Sequence, residues 1–164
     1  MKGAMLNSYG MWIAFTGLGV LIILGAGVHR LDDSERSLLA AREAVWRDYF
    51  AYRADLVGAL PENFVGIAGG DSVWQNQQET LAASRASAAR GVRLSTLNFP
   101  RNLVQRYGEV AIIHSRYEAV LNGPDGKSVL RGNITEVFVW NGTRWIHPSW
   151  HMDFDRSPSG LSMP

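Results

Sequence analysis

The sequence predicts an α+β domain, with helices first and a long antiparallel sheet after them. Three observations lead there. Apolar residues recur at spacings of three and four from Leu38 to Val57, the period switches to two from Val92 onward, and the later runs are joined by short turns rich in glycine and asparagine. Helices that precede consecutive strands pack on one face of the sheet rather than alternating with it.

The chain has 164 residues, enough for one ordinary domain and a short appendage. Hydrophobic residues make up 46% and charged residues 19%, the balance of a globular protein rather than a disordered one. A net charge of +1 and the lack of any basic run with interleaved aromatics argue against a nucleic-acid partner. With no cysteine, thiol nucleophiles, disulfides and thiolate metal sites are all excluded.

The appendage is residues 1–30. Tyr9 to Val28 carries no charge, Lys2 precedes it, and His29, Arg30, Asp32 and Asp33 follow. As a preceding hydrophobic helix it would just span a bilayer core of about 30 Å, so residues 9–28 read as a single transmembrane anchor in the inner membrane. Small residues at Gly25-Ala26-Gly27 leave a cleaved signal peptide open. Either way the domain at residues 31–155 is expected to be exported, periplasmic or otherwise extracytoplasmic. Residues 156–164 read as a loose tail.

Asp32-x-x-Glu35 has the form of a capping box for the first helix, expected to run about six turns and to end near Gly58 and Pro61. Phe64 to Ala68 follows as a short strand closed by Gly69-Gly70. Asp71 or Ser72 is placed to cap a second long helix that stops at Gly91. Strands are then expected at Val92–Leu97, Leu103–Tyr107, Val110–Leu121, Ser128–Trp140 and Arg144–Phe154. Asn98-Phe99-Pro100 is expected to connect the first two, and Asn141-Gly142 to turn the last two as a type I′ hairpin.

That closing hairpin carries the polar groups of interest. Glu136 shares strand parity with Ile134, Phe138 and Trp140, so its carboxylate sits on an apolar face and is expected to be paired or raised in pKa. A strict two-residue loop places Glu136 opposite His147, where a carboxylate–imidazole pair could move a proton. A one-residue slip sends the histidine to the other face. His151 shares parity with His147. His114, His147 and His151 lack a metal-ligand spacing, and no carboxylate cluster completes a set, so neither metal nor cofactor is expected.

The order of elements, with Thr135 to Trp140, Asn141-Gly142, Arg144-Trp145 and the terminal histidine, resembles the nuclear transport factor 2-like superfamily over about residues 34–154. Ser95 to Asn98 and Gly108 to Ile113 match it as well. The chain is most similar to its SnoaL-like and calmodulin-dependent kinase association-domain groups. The resemblance implies a cone-shaped, curved antiparallel sheet wrapped around the N-terminal helices, with a hydrophobic pocket at its open end and an outer face that forms dimers. The first helix would roof the pocket, which brings Trp46 and Tyr49 to a ligand.

Steroid isomerases of the superfamily use an acid in the penultimate strand, matched by Glu136. They also use a base where this chain has Ala68-Gly69, with Asp71 displaced, and a tyrosine near Trp46 or Arg47, with Tyr49 a turn away. Arg116 matches an arginine of the association-domain pocket, and Phe138 replaces another. The ligand-binding candidates are therefore Trp46, Tyr49, Arg116, Glu136, Phe138, His147 and His151, with Glu136 and His147 as the catalytic ones. The expected function is a small-molecule-binding module, at least a homodimer, holding an apolar or weakly anionic ligand. Two alternatives stand beside it. One is an isomerase, cyclase or dehydratase using Glu136 and a hairpin histidine, and the other is a membrane-tethered assembly domain.

Overall fold

The computed structural model describes residues 33–69 and 73–155. Two long elements of helix and four long strands carry the domain. The first helix, α1 (Asp33–Ala51), buries Leu38, Arg42, Val45, Trp46 and Phe50, a stripe at helical spacing. It ends seven residues before Gly58. Tyr52 takes a positive φ of 49°, its N–H bonds to Tyr49 O, and Arg53 N–H bonds to Asp48 O. These are the two bonds of a Schellman C-cap, built here on a tyrosine. A separate turn of helix, α2 (Asp55–Ala59), completes the run that sequence periodicity had merged with α1.

After β1 (Val65–Ala68), the chain forms an edge strand, β2 (Val73–Gln75), where a helix was expected. The second long helix, α3 (Gln77–Ala89), starts later, at an Asn76 cap. Asn76 Oδ1 accepts from Glu79 N–H, and Glu79 returns the bond to Asn76 N–H. Its far end is another Schellman cap, with Gly91 at φ 80° and Val92 N–H bonded to Ser87 O. The expected caps at Asp32 and at Asp71 or Ser72 lie outside the described residues, as do the segments 1–30 and 156–164. Among the described residues no helix is long and apolar enough to cross a membrane.

The sheet runs β2-β1-β6-β5-β4-β3, with β3 (Arg93–Tyr107), β4 (Val110–Gly123), β5 (Gly126–Trp140) and β6 (Trp145–Phe154) as an antiparallel meander. Among the described strands only β1 and β6 pair in parallel. The two strands expected either side of Asn98-Phe99-Pro100 are one, because the ladder shifts register between Asn98 and Arg101 instead of turning. Pro100 is tolerated there since β3 is an edge strand and a bulge needs no N–H from it.

Helices cover one face of the sheet. Ala111, Ile113, Ser115, Tyr117, Ala119 and Leu121 of β4 point toward them and are buried, while His114 between them is exposed. Fully buried Tyr117, Phe64, Phe138, Leu38, Leu56 and Leu60 anchor the core, each worth about 1.5–3 kcal/mol.

The two helix ends make a testable pair. A left-handed tyrosine costs about 1 kcal/mol relative to glycine, offset in part by Arg85, whose guanidinium lies 5.2 Å from the Tyr52 ring. Tyr52→Gly is expected to raise stability by about 0.5–1 kcal/mol and Gly91→Ala to lower it by about 1 kcal/mol, read from urea midpoints at constant m. A destabilised Tyr52→Gly would mean that the ring contact, not the backbone, governs this end.

Candidate functional site

The concave face of the sheet is decided by one irregularity in the closing hairpin. Trp140 pairs with Trp145, and Asn141 N–H bonds to Arg144 O, so the loop has four residues rather than two. Only Gly142 takes a positive φ, 95°, which rules out the expected type I′ turn. Asn141 Oδ1 holds the loop by accepting from Thr143 N–H and Arg144 N–H. Four residues instead of two leave strand parity unchanged, so His147 still faces inward, but opposite Phe138 rather than Glu136. The rings of Phe138 and His147 stack at 4.2 Å.

Between Val139↔Ile146 and Val137↔Ser149 the register then shifts by one. The extra residue falls at His147-Pro148, where proline's missing N–H is no loss. Beyond it the inward positions of β6 are even-numbered, so Trp150 and Met152 face the helices and His151 faces out. His151 is exposed and lies 3.7 Å from Asp153. The expectation that His147 and His151 share a face therefore fails, and the bulge is the reason. Arg116 also stands on the outer face, paired with Asp155, because it alternates with inward Ser115 and Tyr117.

Glu136, His147, Trp46 and Phe138 do come together. Glu136 and His147 are both 0% exposed, with His147 Nε2 3.8 Å from Glu136 Oε1, too far for a hydrogen bond. Trp46 Nε1 donates to that same Oε1 at 3.1 Å. Burial drives the two groups in opposite senses. It pushes the Glu136 carboxyl up to about 7 against the pull of the Arg42 guanidinium and the Trp46 bond. It pushes His147 down to about 3, so the imidazole is neutral. Glu136 Oε2, both His147 nitrogens and Trp150 Nε1 have no protein partner.

Arg42 is a member of this group that sequence reasoning did not single out. Its Nη1 donates to Asn102 Oδ1 at 2.7 Å and to Ser115 Oγ at 2.9 Å, and its guanidinium lies 3.6 Å over the Phe99 ring. Burial lowers its pKa while the field of Glu136 raises it. A charged residue inside the apolar stripe of α1, between Leu38 and Val45, was the signal for it.

A cavity of about 440 Å³ opens next to this cluster, between α1, α3 and the sheet. Trp46, Tyr49, Phe50, Ile134, Trp150 and Met152 wall it, and Gln75, Ser87 and exposed Arg90 give it polar contacts. Tyr49 meets Trp150 edge-to-face at 6.2 Å; burial raises its hydroxyl pKa and nearby Arg90 opposes that. Trp46 and Trp150 thus belong to both places. They face the cavity on one side, and the buried acid and imidazole on the other.

The opposed shifts of Glu136 and His147 predict an unusual pH profile. Glu136 stabilises the fold below its ordinary 4.5, and this is lost as pH rises through about 7. His147 contributes stability present above its ordinary 6.5 and lost as pH falls toward about 3. From pH 4.5 to 6.5 the two slopes cancel, so this pair makes no net contribution to the pH dependence there. Glu136→Gln should unmask a rise of about 3 kcal/mol over that window, and His147→Gln a fall of similar size, measured by urea denaturation. Identical profiles for both variants would refute the assignment.

No protein-family model and no curated protein matches the sequence. Solved structures do match it in shape. A nuclear transport factor 2-like protein from Cytophaga hutchinsonii aligns with a TM-score of 0.63 at 8% identity, covering 76% of this chain and 100% of that one. A proposed calcium/calmodulin-dependent kinase II association domain from Exiguobacterium sibiricum gives 0.61 at 14% identity, covering 76% and 92%. The beta subunit of a benzoate 1,2-dioxygenase from Burkholderia mallei gives 0.63 at 13% identity, covering 76% and 91%. With six strands in this order curved around helices on one face, the chain has the nuclear transport factor 2-like fold.

Proposed function

We propose that this domain binds a small, largely apolar molecule with a weakly anionic end in the cavity between α1, α3 and the sheet. The observation that carries this is the cavity itself. At about 440 Å³, walled by aromatic and aliphatic side chains with a few polar ones, it has the size and lining of ligand pockets. Arg90 is the positive group there that suits an anionic end. The reading places the domain outside the cytoplasm, on the strength of the apolar segment Tyr9–Val28, either released or held by that segment as an anchor.

Homodimer formation through the outer sheet face belongs to the same reading. Leu103 and Tyr107 are 59% and 63% exposed, and Ile112, Val137 and Val139 continue the apolar patch across β4 and β5. Among the described residues no helix covers it.

A second reading, acid–base catalysis, rests on Glu136 and His147 being buried 3.8 Å apart with unpartnered polar atoms. Binding without turnover is favoured because neither residue lines the cavity.

Decanoate and decanol serve as probes, followed by tryptophan fluorescence. Both should bind saturably; Arg90→Gln should weaken decanoate about fivefold and leave decanol unchanged, while Ala86→Trp, which fills the cavity, should abolish both. Binding indifferent to Ala86→Trp would place the ligand elsewhere. For the dimer, Tyr107→Lys with Leu103→Lys should halve the mass seen in analytical ultracentrifugation. A wild-type monomer at all concentrations would end that part of the proposal.

A further inference from the structure

A second hollow, of about 290 Å³, lies on the other side of α1, between α1, α2 and the tip of the closing hairpin. It differs in chemistry from the main cavity. Asp48 and Asp55 line it on the helical side and Arg144 on the hairpin side. Trp140 and Trp145, edge-to-face at 5.5 Å, form an apolar wall between them.

Three facts set these charges apart from an ordinary surface ion pair. First, Arg144 makes no ion pair among the described residues, although two carboxylates line the same hollow. Second, its guanidinium rests on the backbone at Gly58, where a Cβ would stand 2.8 Å from Nη1, so the missing side chain leaves the charge room to lie there. Third, Asp48 is largely buried, with a side chain 14% exposed, and its one ionic contact among the described residues is Arg53 at 3.5 Å. Burial raises the Asp48 carboxyl, Arg53 opposes that, and neighbouring Asp55 adds to the rise.

Carboxylates and a guanidinium therefore line one hollow over an apolar surface without an ion pair between them among the described residues. A molecule that carries both charges a few ångströms apart, with an apolar side group, satisfies all three walls. We propose that this hollow binds a free α-amino acid with an apolar side chain, its ammonium at Asp48 and Asp55, its carboxylate at Arg144 and its side chain against Trp140. The site shares only Val45 with the lining of the main cavity, and its ligand is a different class of molecule.

L-leucine, L-leucinamide and N-acetyl-L-leucine, titrated into the full chain by calorimetry, separate the two charges. L-leucine should bind saturably, and each derivative, lacking one charge, should bind about tenfold more weakly. Arg144→Gln should weaken L-leucine about tenfold and leave L-leucinamide unchanged. Gly58→Ala, which displaces the guanidinium without removing it, should act in the same direction. Asp55→Asn should weaken L-leucine and spare N-acetyl-L-leucine; because Asp55 is exposed, the variant does not put folding at risk. Decanoate in the main cavity should not compete. Equal binding of all three compounds, competition by decanoate, or no saturable heat with L-leucine would each overturn the proposal.

Discussion

The extra residue at His147-Pro148 sets what the concave sheet face presents, and most of the interior follows from it. Without the bulge, Trp145, His147, Ser149 and His151 would all point at α1, and two imidazoles would share the space beside Glu136. With it, the inward set becomes Trp145, His147, Trp150 and Met152, which exchanges a second titratable ring for an indole and a thioether. Trp150 can then pack on Phe64 at 5.1 Å and on Tyr49, and it lies over Gly66, where a Cβ would meet its Nε1 at 2.7 Å. Proline is compatible with this position of a central strand because the bulge asks for no hydrogen bond there. The same shift turns His151 outward, so one backbone irregularity both builds the cavity wall and leaves His147 as the single buried imidazole among the described residues.

Much of the fold was legible in the residues because local chemistry and global architecture agreed. The stop of α3 at Gly91 was readable, since glycine is the usual occupant of a left-handed cap. The equivalent stop of α1 was not, because Tyr52 occupies that conformation and its apolar periodicity carries on into α2. The start of α3 was misplaced toward Asp71 and Ser72, yet Asn76-x-x-Glu79 is a complete capping box in the sequence itself. In β3, Phe99-Pro100 has the composition of a turn, and only the continuous pairing with β4 on both sides shows a bulge. These misses share a cause. Tertiary pairing holds the backbone where local preference alone would end or extend an element.

The site was half legible for a related reason. Glu136 was found because a carboxylate among Ile134, Phe138 and Trp140 contradicts its own strand face, and the structure encloses it fully. Arg42 contradicts the stripe of α1 in the same way. It completes the neighbourhood of Glu136, its charge favouring the ionised carboxylate that burial disfavours. Arg116 and His151 carried no such contradiction. Each lies among polar neighbours on its own face, where Asp155 pairs with Arg116 and Asp153 lies beside His151 at the surface. Position within a family pattern pointed to them, but alternation and the bulge decide where they stand.

The geometry also separates binding from proton transfer. A general base must reach the proton it removes, within about 2.6–3.2 Å or through one water. Glu136 and His147 lie behind Trp46 and Trp150 as seen from the cavity, and Trp46 holds Glu136 by a 3.1 Å bond. Catalysis on a molecule in that cavity would need an indole to leave its place, which for Trp150 means giving up contacts with Phe64, Tyr49 and His147. The proposed binding needs no such motion, since the aromatic wall is already formed and offers apolar area for a ligand to cover. The unpartnered atoms behind that wall give its underside a polar character that an all-apolar core would lack. Two opposed influences meet at that underside: burial favours the protonated Glu136 carboxyl, while the Arg42 charge and the Trp46 N–H favour the carboxylate.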